Sequence, residues 1–241
     1  MGTETTAVLA GLGEQYHTLA HNLANINTVG YKRRLSRYAA ETAAGAETGA
    51  AGAKAPATLQ SSTAIDFSQG RLVRTGRSLD LALSGKAFFV VETDRGERYT
   101  RNGVFRVGGD GHLVDSQGRP VAGEGGPITV PPSVSPMEVE VTAEGRVVAG
   151  GAPIGRLRLV AFEDPNALEA EGFSTLVPRD GSTPTPAAET TVQQGFQEAS
   201  NVDAVTELVG LIQVTRLYEA NVQLLSLRKD TGKALLGVAM A

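Results

Sequence analysis

Two histidines near the N-terminus are the clearest candidates for chemistry in this 241-residue chain. His17 and His21 are four residues apart, so a helix would turn both side chains to one face, where they could bind a metal ion. The residues between them do not include the glutamate that a zinc-protease helix places beside its first ligand, and no third ligand lies nearby in the sequence. A metal-dependent enzyme would have to draw carboxylates from elsewhere. The alternative is two polar residues beside an apolar stripe.

Other motifs of catalysis or ligand binding are incomplete. The chain has no cysteine, which excludes disulfides, thiolate metal sites and cysteine nucleophiles. Gly85-Lys86 lacks both the earlier glycine and the following serine or threonine of a phosphate-binding loop. Asp110-Gly111 lacks the oxygen ligands of a calcium loop and is typical of a turn. We therefore predict that the protein is not an enzyme, with no catalytic residue, cofactor or metal.

Composition narrows the classes of partner. The chain is 41% apolar and 20% charged, which is ordinary for a soluble globular protein, and its net charge of −4 creates no basic field for nucleic acid. The dense basic cluster Lys32, Arg33, Arg34 and Arg37 is expected to complement a helix end or face solvent. Apolar runs are far shorter than the ~20 residues of a membrane helix, and no basic leader precedes an apolar core. We expect neither membrane insertion nor a cleaved signal peptide.

The elements that would position His17 and His21 are best seen at the two ends of the chain, where apolar residues recur at spacings of three and four. This pattern predicts helices over about residues 5–24 and 202–233, with Ser200-Asn201 as the N-cap of the second. Such stripes need a partner helix, in the same chain or in another copy. The residues expected at the helix interface are Leu9, Leu12, Tyr16, Leu19, Leu23, Ile26, Leu208, Leu211, Thr215, Tyr218, Val222 and Leu225.

The middle of the chain has the pattern of an all-β domain. Turn signals recur every eight to twelve residues from residue 65 to about 177. Phe88 to Val91 is a continuous apolar run, typical of a strand buried on both faces, and Asn102-Gly103 suits a type I′ hairpin. We therefore predict an α+β fold in which terminal helices pair as a coiled coil around a central meander or sandwich-like β domain. The predicted segments are a helix in 1–38, an extended Ala/Gly-rich arm in 39–64, the β domain in 65–178, a linker and return segment in 179–199 and a helix in 200–241.

Three blocks of the sequence resemble one family. HNLANINTVGYK at residues 21–32 resembles the N-terminal signature of the bacterial flagellar rod and hook proteins. TGRSLDLALSGKAFFVV at 75–91, followed by YTRNG at 99–103, resembles their central block, and QGFQEASNV at 194–202 with ELVGLIQVTRLYEAN at 207–221 resembles their C-terminal block. The sequence departs from the family pattern at His21, Tyr31 and Phe196-Gln197, and the arm matches no family motif.

The resemblance implies a structural subunit of the flagellar basal-body rod in the periplasm, exported through the flagellar type III apparatus. Its terminal helices would form the inner coiled-coil layer of a helical, torque-transmitting tube around a channel. Partners would be copies of itself and other rod and hook subunits. A proximal-rod position is expected and a distal-rod position is the alternative; from other classes, a β-sandwich binding module oligomerised by its helices and the His17/His21 enzyme remain. The motif residues expected to shape the helix ends without a ligand are Asn22, Asn25, Asn27, Gly30, Ser200 and Asn201.

Overall fold

The computed structural model describes residues 2–41, 58–172, 174–179, 182–187 and 189–239, which fall into two compact units. We call them the helical unit, within Met1–Ala24, Arg34–Ala64 and Asp203–Ala241, and the β unit, within Asn25–Arg33 and Ile65–Val202. Each unit is assembled from separate stretches of the chain. The predicted α+β class, with helices at both ends and a mostly β middle, is confirmed.

The helical unit contains two long helices and a two-stranded sheet. Helix α1 spans Gly2–Ala24 and helix α2 spans Ala204–Ala239, and the two pack against each other. Strands β1 (Arg34–Glu41) and β2 (Thr58–Ile65) pair with each other. The ends of the predicted arm therefore lie in these strands, while residues 42–57 lie outside the described residues. Within the described part of the chain, neither helix has the length and hydropathy of a segment that crosses a membrane.

The start of α2 differs from the prediction. The side chain of Asp203 accepts a hydrogen bond from the backbone N–H of Thr206 (2.8 Å) and another from its hydroxyl (2.7 Å), so Asp203 is the N-cap. The predicted cap at Ser200-Asn201 is therefore wrong. An acidic cap three residues before Thr206 satisfies one of the free N–H groups of the first turn and matches the positive end of the helix dipole, so the helix begins later than predicted.

The β unit is built from short antiparallel strands, and many neighbouring strands are far apart in the sequence, so the predicted meander describes only parts of it. They are β3 (Leu72–Arg74), β4 (Leu81–Ser84), β5 (Phe88–Thr93), β6 (Gly96–Thr100), β7 (Arg106–Val107), β8 (Leu113–Val114), β9 (Ala122–Gly123), β10 (Gly126–Pro127), β11 (Val139–Val141), β12 (Arg146–Ala149), β13 (Ala152–Arg156), β14 (Leu159–Ala161), β15 (Leu168–Glu171), β16 (Thr175–Pro178), β17 (Thr185–Pro186), β18 (Thr191–Gln194) and β19 (Phe196–Glu198). Short 3₁₀ helices lie at Pro136–Glu138 and Pro165–Ala167.

A six-stranded sheet is the largest element of the β unit, in the order β15-β16-β6-β5-β14-β17. A three-stranded sheet, β11-β12-β13, and the pairs β18-β4, β19-β3, β7-β8 and β10-β9 complete it. The segment predicted as a linker and return, 179–199, supplies β17, β18 and β19. Its β18 pairs with β4 and its β19 with β3, so the end of the β unit is held by its beginning.

Strand β5 is buried on both faces, as its apolar run predicts. Phe89 and Val91 belong to one hydrophobic core, together with Phe105, whose ring lies edge-on to that of Phe89 at 5.1 Å. Phe88 and Val90 point the other way, into a second core. Alternate residues of one strand therefore supply two separate cores, as strand geometry requires.

The predicted hairpin at Asn102-Gly103 is wrong. Neither residue has a positive φ, which a type I′ turn needs at both positions, and β6 pairs with β5 and β16 instead. The backbone carbonyl of Gly103 accepts the N–H of Leu81 at 2.9 Å. A Cβ at Gly103 would lie 1.8 Å from the carbonyl oxygen of Leu81, so the glycine serves a close approach of two backbones.

Candidate assembly site

Asn22 ties α1 to β1 within the helical unit. Its side-chain oxygen accepts the N–H of Arg34 at 2.8 Å, and its amide donates to the carbonyl of Arg34 at 2.8 Å, as a neighbouring strand would. The same amide donates to the carboxylate of Glu207 at 3.1 Å. Both Asn22 and Glu207 are completely buried. Asn22 therefore joins three elements through one side chain: α1, β1 and α2.

The rest of the N-terminal signature forms a tight turn in the β unit. The backbone carbonyl of Asn25 accepts a hydrogen bond from the backbone N–H of Thr28. The side-chain oxygen of Asn25 accepts a second one from the hydroxyl of Thr28. Gly30 has φ +69°, and a Cβ there would lie 2.4 Å from the backbone nitrogen of Asn102. Only glycine fits both conditions. Tyr31, the next residue, is buried, whereas Asn27 is exposed.

Glu198 is the centre of a buried ionic network in the β unit. One carboxylate oxygen accepts from the ammonium of Lys32 at 2.6 Å and from the N–H of Gly70 at 3.0 Å. The other faces the guanidinium of Arg101 at 3.5 Å, and the backbone carbonyl of Glu198 accepts the N–H of Gly30 at 2.7 Å. Glu198 is fully buried and the Lys32 side chain is 4% exposed. The network holds the N-terminal signature and the last strand of the β unit together.

The network corrects the expectation that Lys32 faces solvent or complements a helix end. Burial lowers the pKa of Lys32 below its usual range, although the charge of Glu198 acts in the opposite direction. Burial lowers the pKa of Arg101 as well. The guanidinium of Arg101 also donates to the carbonyl of Gly85 at 2.6 Å and lies 5.0 Å from the ring centre of Phe88. Two cations thus share one carboxylate away from water, so removing that carboxylate would be costly.

Asn201 is a second junction within the β unit. Its side chain accepts the backbone N–H of Arg33 at 2.7 Å and donates to the carbonyl of Asp66 at 2.9 Å. Ser200 accepts the N–H of Val202 at 3.2 Å. These motif residues therefore position the segment before α2 rather than cap the helix. No ligand is needed to explain them.

Helix α2 has one covered side and one exposed apolar side. Glu207 and Val214 are buried on the covered side, and the four residues Gly210, Leu211, Asn221 and Leu225 are half-buried there. A Cβ at Gly210 would lie 3.0 Å from Leu19, so this glycine provides the space that a leucine of α1 fills. The exposed apolar side consists of Val205, Leu208, Val209 and Ile212, each between 47% and 68% exposed, which we call the outer face.

The predicted interface residues divide between these sides. On α1, four of them, Leu9, Leu12, Leu19 and Leu23, are half-buried, Tyr16 is exposed, and Ile26 lies beyond the helix end. On α2, Leu211 and Leu225 are on the covered side, whereas Leu208, Thr215, Tyr218 and Val222 are exposed. The covered seam runs through Glu207, Val214 and Asn221, one residue before the predicted stripe. Apolar periodicity misses it because two of its members are polar.

His17 and His21 show no metal-site geometry. His17 is exposed and His21 is half-buried, and burial together with the positive charge of Arg34 lowers the pKa of His21. Among the described residues, no group of three histidine, aspartate or glutamate side chains is placed to hold a metal ion. The structure instead brings together Glu198 with Lys32 and Glu207 with Asn22. Each of these pairs joins segments that are distant in the sequence.

Two family models match parts of this chain. A family model described as the flagellar hook protein FlgE/F/G D1 domain matches residues 82–149, and one described as the flagellar basal body rod FlgEFG protein C-terminal matches residues 193–236. The first match lies in the β unit. The second contains Glu198, Asp203, Glu207 and the outer face.

Curated relatives match most of the chain. The flagellar basal-body rod protein FlgF of Caulobacter vibrioides is 35% identical over 210 residues, covering 87% of this chain and 85% of the relative. FlgF of Salmonella typhimurium is 31% identical over 249 residues, covering 95% and 96%. FlgG of Buchnera aphidicola is 33% identical over 230 residues, covering 85% and 86%. With such identity over nearly the whole length, the chain belongs to the family of flagellar basal-body rod proteins that includes FlgF and FlgG.

Proposed function

We propose that this protein is an FlgF-type structural subunit of the flagellar basal-body rod that assembles into a helical tube through its terminal helices. Relatives named FlgF support the subunit type. The family model for the C-terminal part of the rod proteins, which matches residues 193–236, supports a rod subunit as well. The single observation that carries the proposal is the outer face of α2.

The outer face has the spacing of a second helix-packing seam. Val205, Leu208, Val209 and Ile212 follow one another at steps of three, one and three, which places them on one side of the helix. The covered side of α2 already packs against α1, the other helix of the helical unit. A soluble monomer gains nothing from a continuous apolar stripe of this kind, so a helix of a neighbouring subunit is the occupant we propose.

The proposed assembly follows from the kind of contact. The outer face of one subunit would meet a different surface of the next, and repeated heterologous contacts generate a helical tube. In this proposal the paired helices form the inner coiled-coil layer around the channel, and axial packing transmits torque. Neighbours would be copies of this chain and other rod and hook subunits. Export through the type III apparatus and a periplasmic location are part of the same proposal and rest on the family resemblance.

A distal-rod position is the second candidate, because a relative named FlgG is 33% identical over 85% of the chain. Genetic complementation separates the two positions. We expect the gene to restore rod assembly in a strain that lacks FlgF and not in one that lacks FlgG. The opposite result would assign the distal position.

The outer face can be tested without disturbing the covered side. We predict that Ile212→Asp abolishes incorporation into purified basal bodies and swimming, because a carboxylate would enter an apolar seam between subunits. The control is Gln213→Asp, which adds the same charge at the next exposed position of α2. Both variants should keep the protection of β5 amides from hydrogen exchange. Normal incorporation of Ile212→Asp would contradict the proposed assembly surface.

A further inference from the structure

We propose that Asn22 and Glu207 fix the register in which α1 pairs with α2. The inference deepens the proposed function and rests on it, because a tube wall needs every subunit to present the outer face at the same height. Asn22 and Glu207 lie at the same level of the helix pair, and their hydrogen bond of 3.1 Å is buried. These two residues would select one alignment of α1 along α2 over the alternatives.

Two independent contacts define the same antiparallel register. Asn22 meets Glu207 through the hydrogen bond, and Leu19 meets Gly210 through close packing of its side chain. Leu19 lies three residues before Asn22 on α1, and Gly210 lies three residues after Glu207 on α2, as an antiparallel pair of helices requires. One contact is polar and the other is steric. Their agreement shows that the helices are aligned in one way along this stretch.

The polar contact penalises any other alignment. A slip of three residues would bring Glu207 opposite Leu19, and a slip of four residues in the other direction would bring Asn22 opposite Leu211. In each case a fully buried polar group would face an apolar side chain, which is unfavourable because a buried polar group needs a hydrogen-bond partner. Leucines alone would not penalise such slips, because they pack against one another in several registers.

The bonding of Asn22 explains why an amide serves this position. Its oxygen accepts from the N–H of Arg34, while its amide group donates to the carbonyl of Arg34 and to Glu207. An aspartate would lose the donor and place a second carboxylate beside Glu207. A leucine would leave the backbone of Arg34 without these bonds. Buried polar pairs add little net stability, and fixing register is their best established use.

Register can be measured directly because the chain contains no cysteine. The pair Gln15→Cys with Val214→Cys reports the observed register, since each position lies seven residues from Asn22 or Glu207. The pairs Gln15→Cys with Leu211→Cys and Gln15→Cys with Tyr218→Cys report slips of one turn. At low protein concentration and under mild oxidation, we expect the first pair to form an intramolecular disulfide at least about tenfold faster than the other two.

Substitution of Glu207 then tests the cause of the register. Glu207→Leu should reduce the preference to about twofold or less while helix content by circular dichroism is retained. Glu207→Gln, which can still accept a hydrogen bond from Asn22, should keep the preference. The matched control, Glu219→Leu, removes the same charge from an exposed position of α2 and should also keep it.

Three results would overturn the inference: equal disulfide rates for all three pairs in the parent chain, an unchanged preference in Glu207→Leu, or loss of helix content in Glu207→Leu. The last would make the pair a source of stability instead of register. Because the measurement uses the isolated chain, its outcome does not depend on rod incorporation. A failure of the Ile212→Asp experiment would therefore remove the proposed function and leave the register measurement standing.

Discussion

The β unit and the helical unit treat apolar surface in opposite ways. The β unit encloses most of its large apolar side chains in two cores, and Phe89, Leu83 and Val90 are completely buried. In the helical unit, Ile212, Leu224 and Leu227 are each more than half exposed on α2. A unit that covers its own apolar residues is complete as a monomer, whereas one that leaves them exposed depends on a partner.

The two units also differ in what they bury besides apolar residues. In the β unit, Glu198 is paired with two cations, Lys32 and Arg101. In the helical unit, Glu207 receives the neutral amide of Asn22. Removing the carboxylate of Glu198 leaves two buried cations without their counter-charge, whereas substituting Glu207 removes its buried hydrogen bond with Asn22. Buried charge should therefore matter for stability in the β unit and for register in the helical unit.

The largest effect that separates the units is expected from Glu198→Gln. We predict a loss of about 3–5 kcal/mol in the stability of the β unit, because Lys32 and Arg101 would keep their burial and lose their counter-charge. Hydrogen exchange of the β5 and β6 amides in the full chain measures it. The control, Glu169→Gln, breaks an exposed ion pair with Arg179 and should change the same amides by less than about 1 kcal/mol. Similar effects of the two changes would show that the Glu198 network does not stabilise the β unit.

A matched pair of leucine substitutions sharpens the contrast between the units. We predict that Leu83→Ala, in the first core of the β unit, costs about 2–5 kcal/mol in β5 protection because it leaves a cavity. Leu208→Ala, on the outer face, should cost less than about 0.5 kcal/mol in the isolated chain.

The same pair should reverse its order in assembly. With Leu83→Ala expressed at a temperature where it remains folded, rod incorporation should stay near normal, whereas Leu208→Ala should reduce it several-fold. Counting basal bodies that contain the subunit measures this. If Leu208→Ala destabilised the isolated chain as strongly as Leu83→Ala, the outer face would be part of the monomer's own core, and the comparison would fail.

Patterns of apolar residues predicted the fold class correctly. The stripes at both ends gave α1 and α2 to within a few residues at their inner ends, and the run at Phe88 gave a strand buried on both faces. Such patterns are reliable because burial of a face repeats with the period of the element. They predicted which segments form helices and strands.

Features set by contacts distant in sequence were not predicted. The network around Glu198 joins Lys32 to a residue 166 positions away, and neither residue has a local pattern that indicates burial. Asn102-Gly103 is the dipeptide preferred in a hairpin turn, but the backbone carbonyl of Gly103 accepts a hydrogen bond from the backbone N–H of Leu81 instead. The covered side of α2 was predicted one residue too late, because Glu207 occupies a buried position at which an apolar side chain is expected. In each case a tertiary contact overrides a local preference.

The start of α2 gives the smallest predicted effect and tests a local rule directly. Asp203→Ala should lower the protection of the first-turn amides of α2, including that of Thr206, by about 1 kcal/mol, because it removes the hydrogen bonds to Thr206 and a charge at the positive end of the helix dipole. Ser200→Ala should have less effect on these amides, since its hydroxyl accepts from Val202 before the helix begins. β5 protection should be unchanged in both. A larger effect of Ser200→Ala would restore the cap position that the sequence indicates and would place the start of α2 nearer to residue 200.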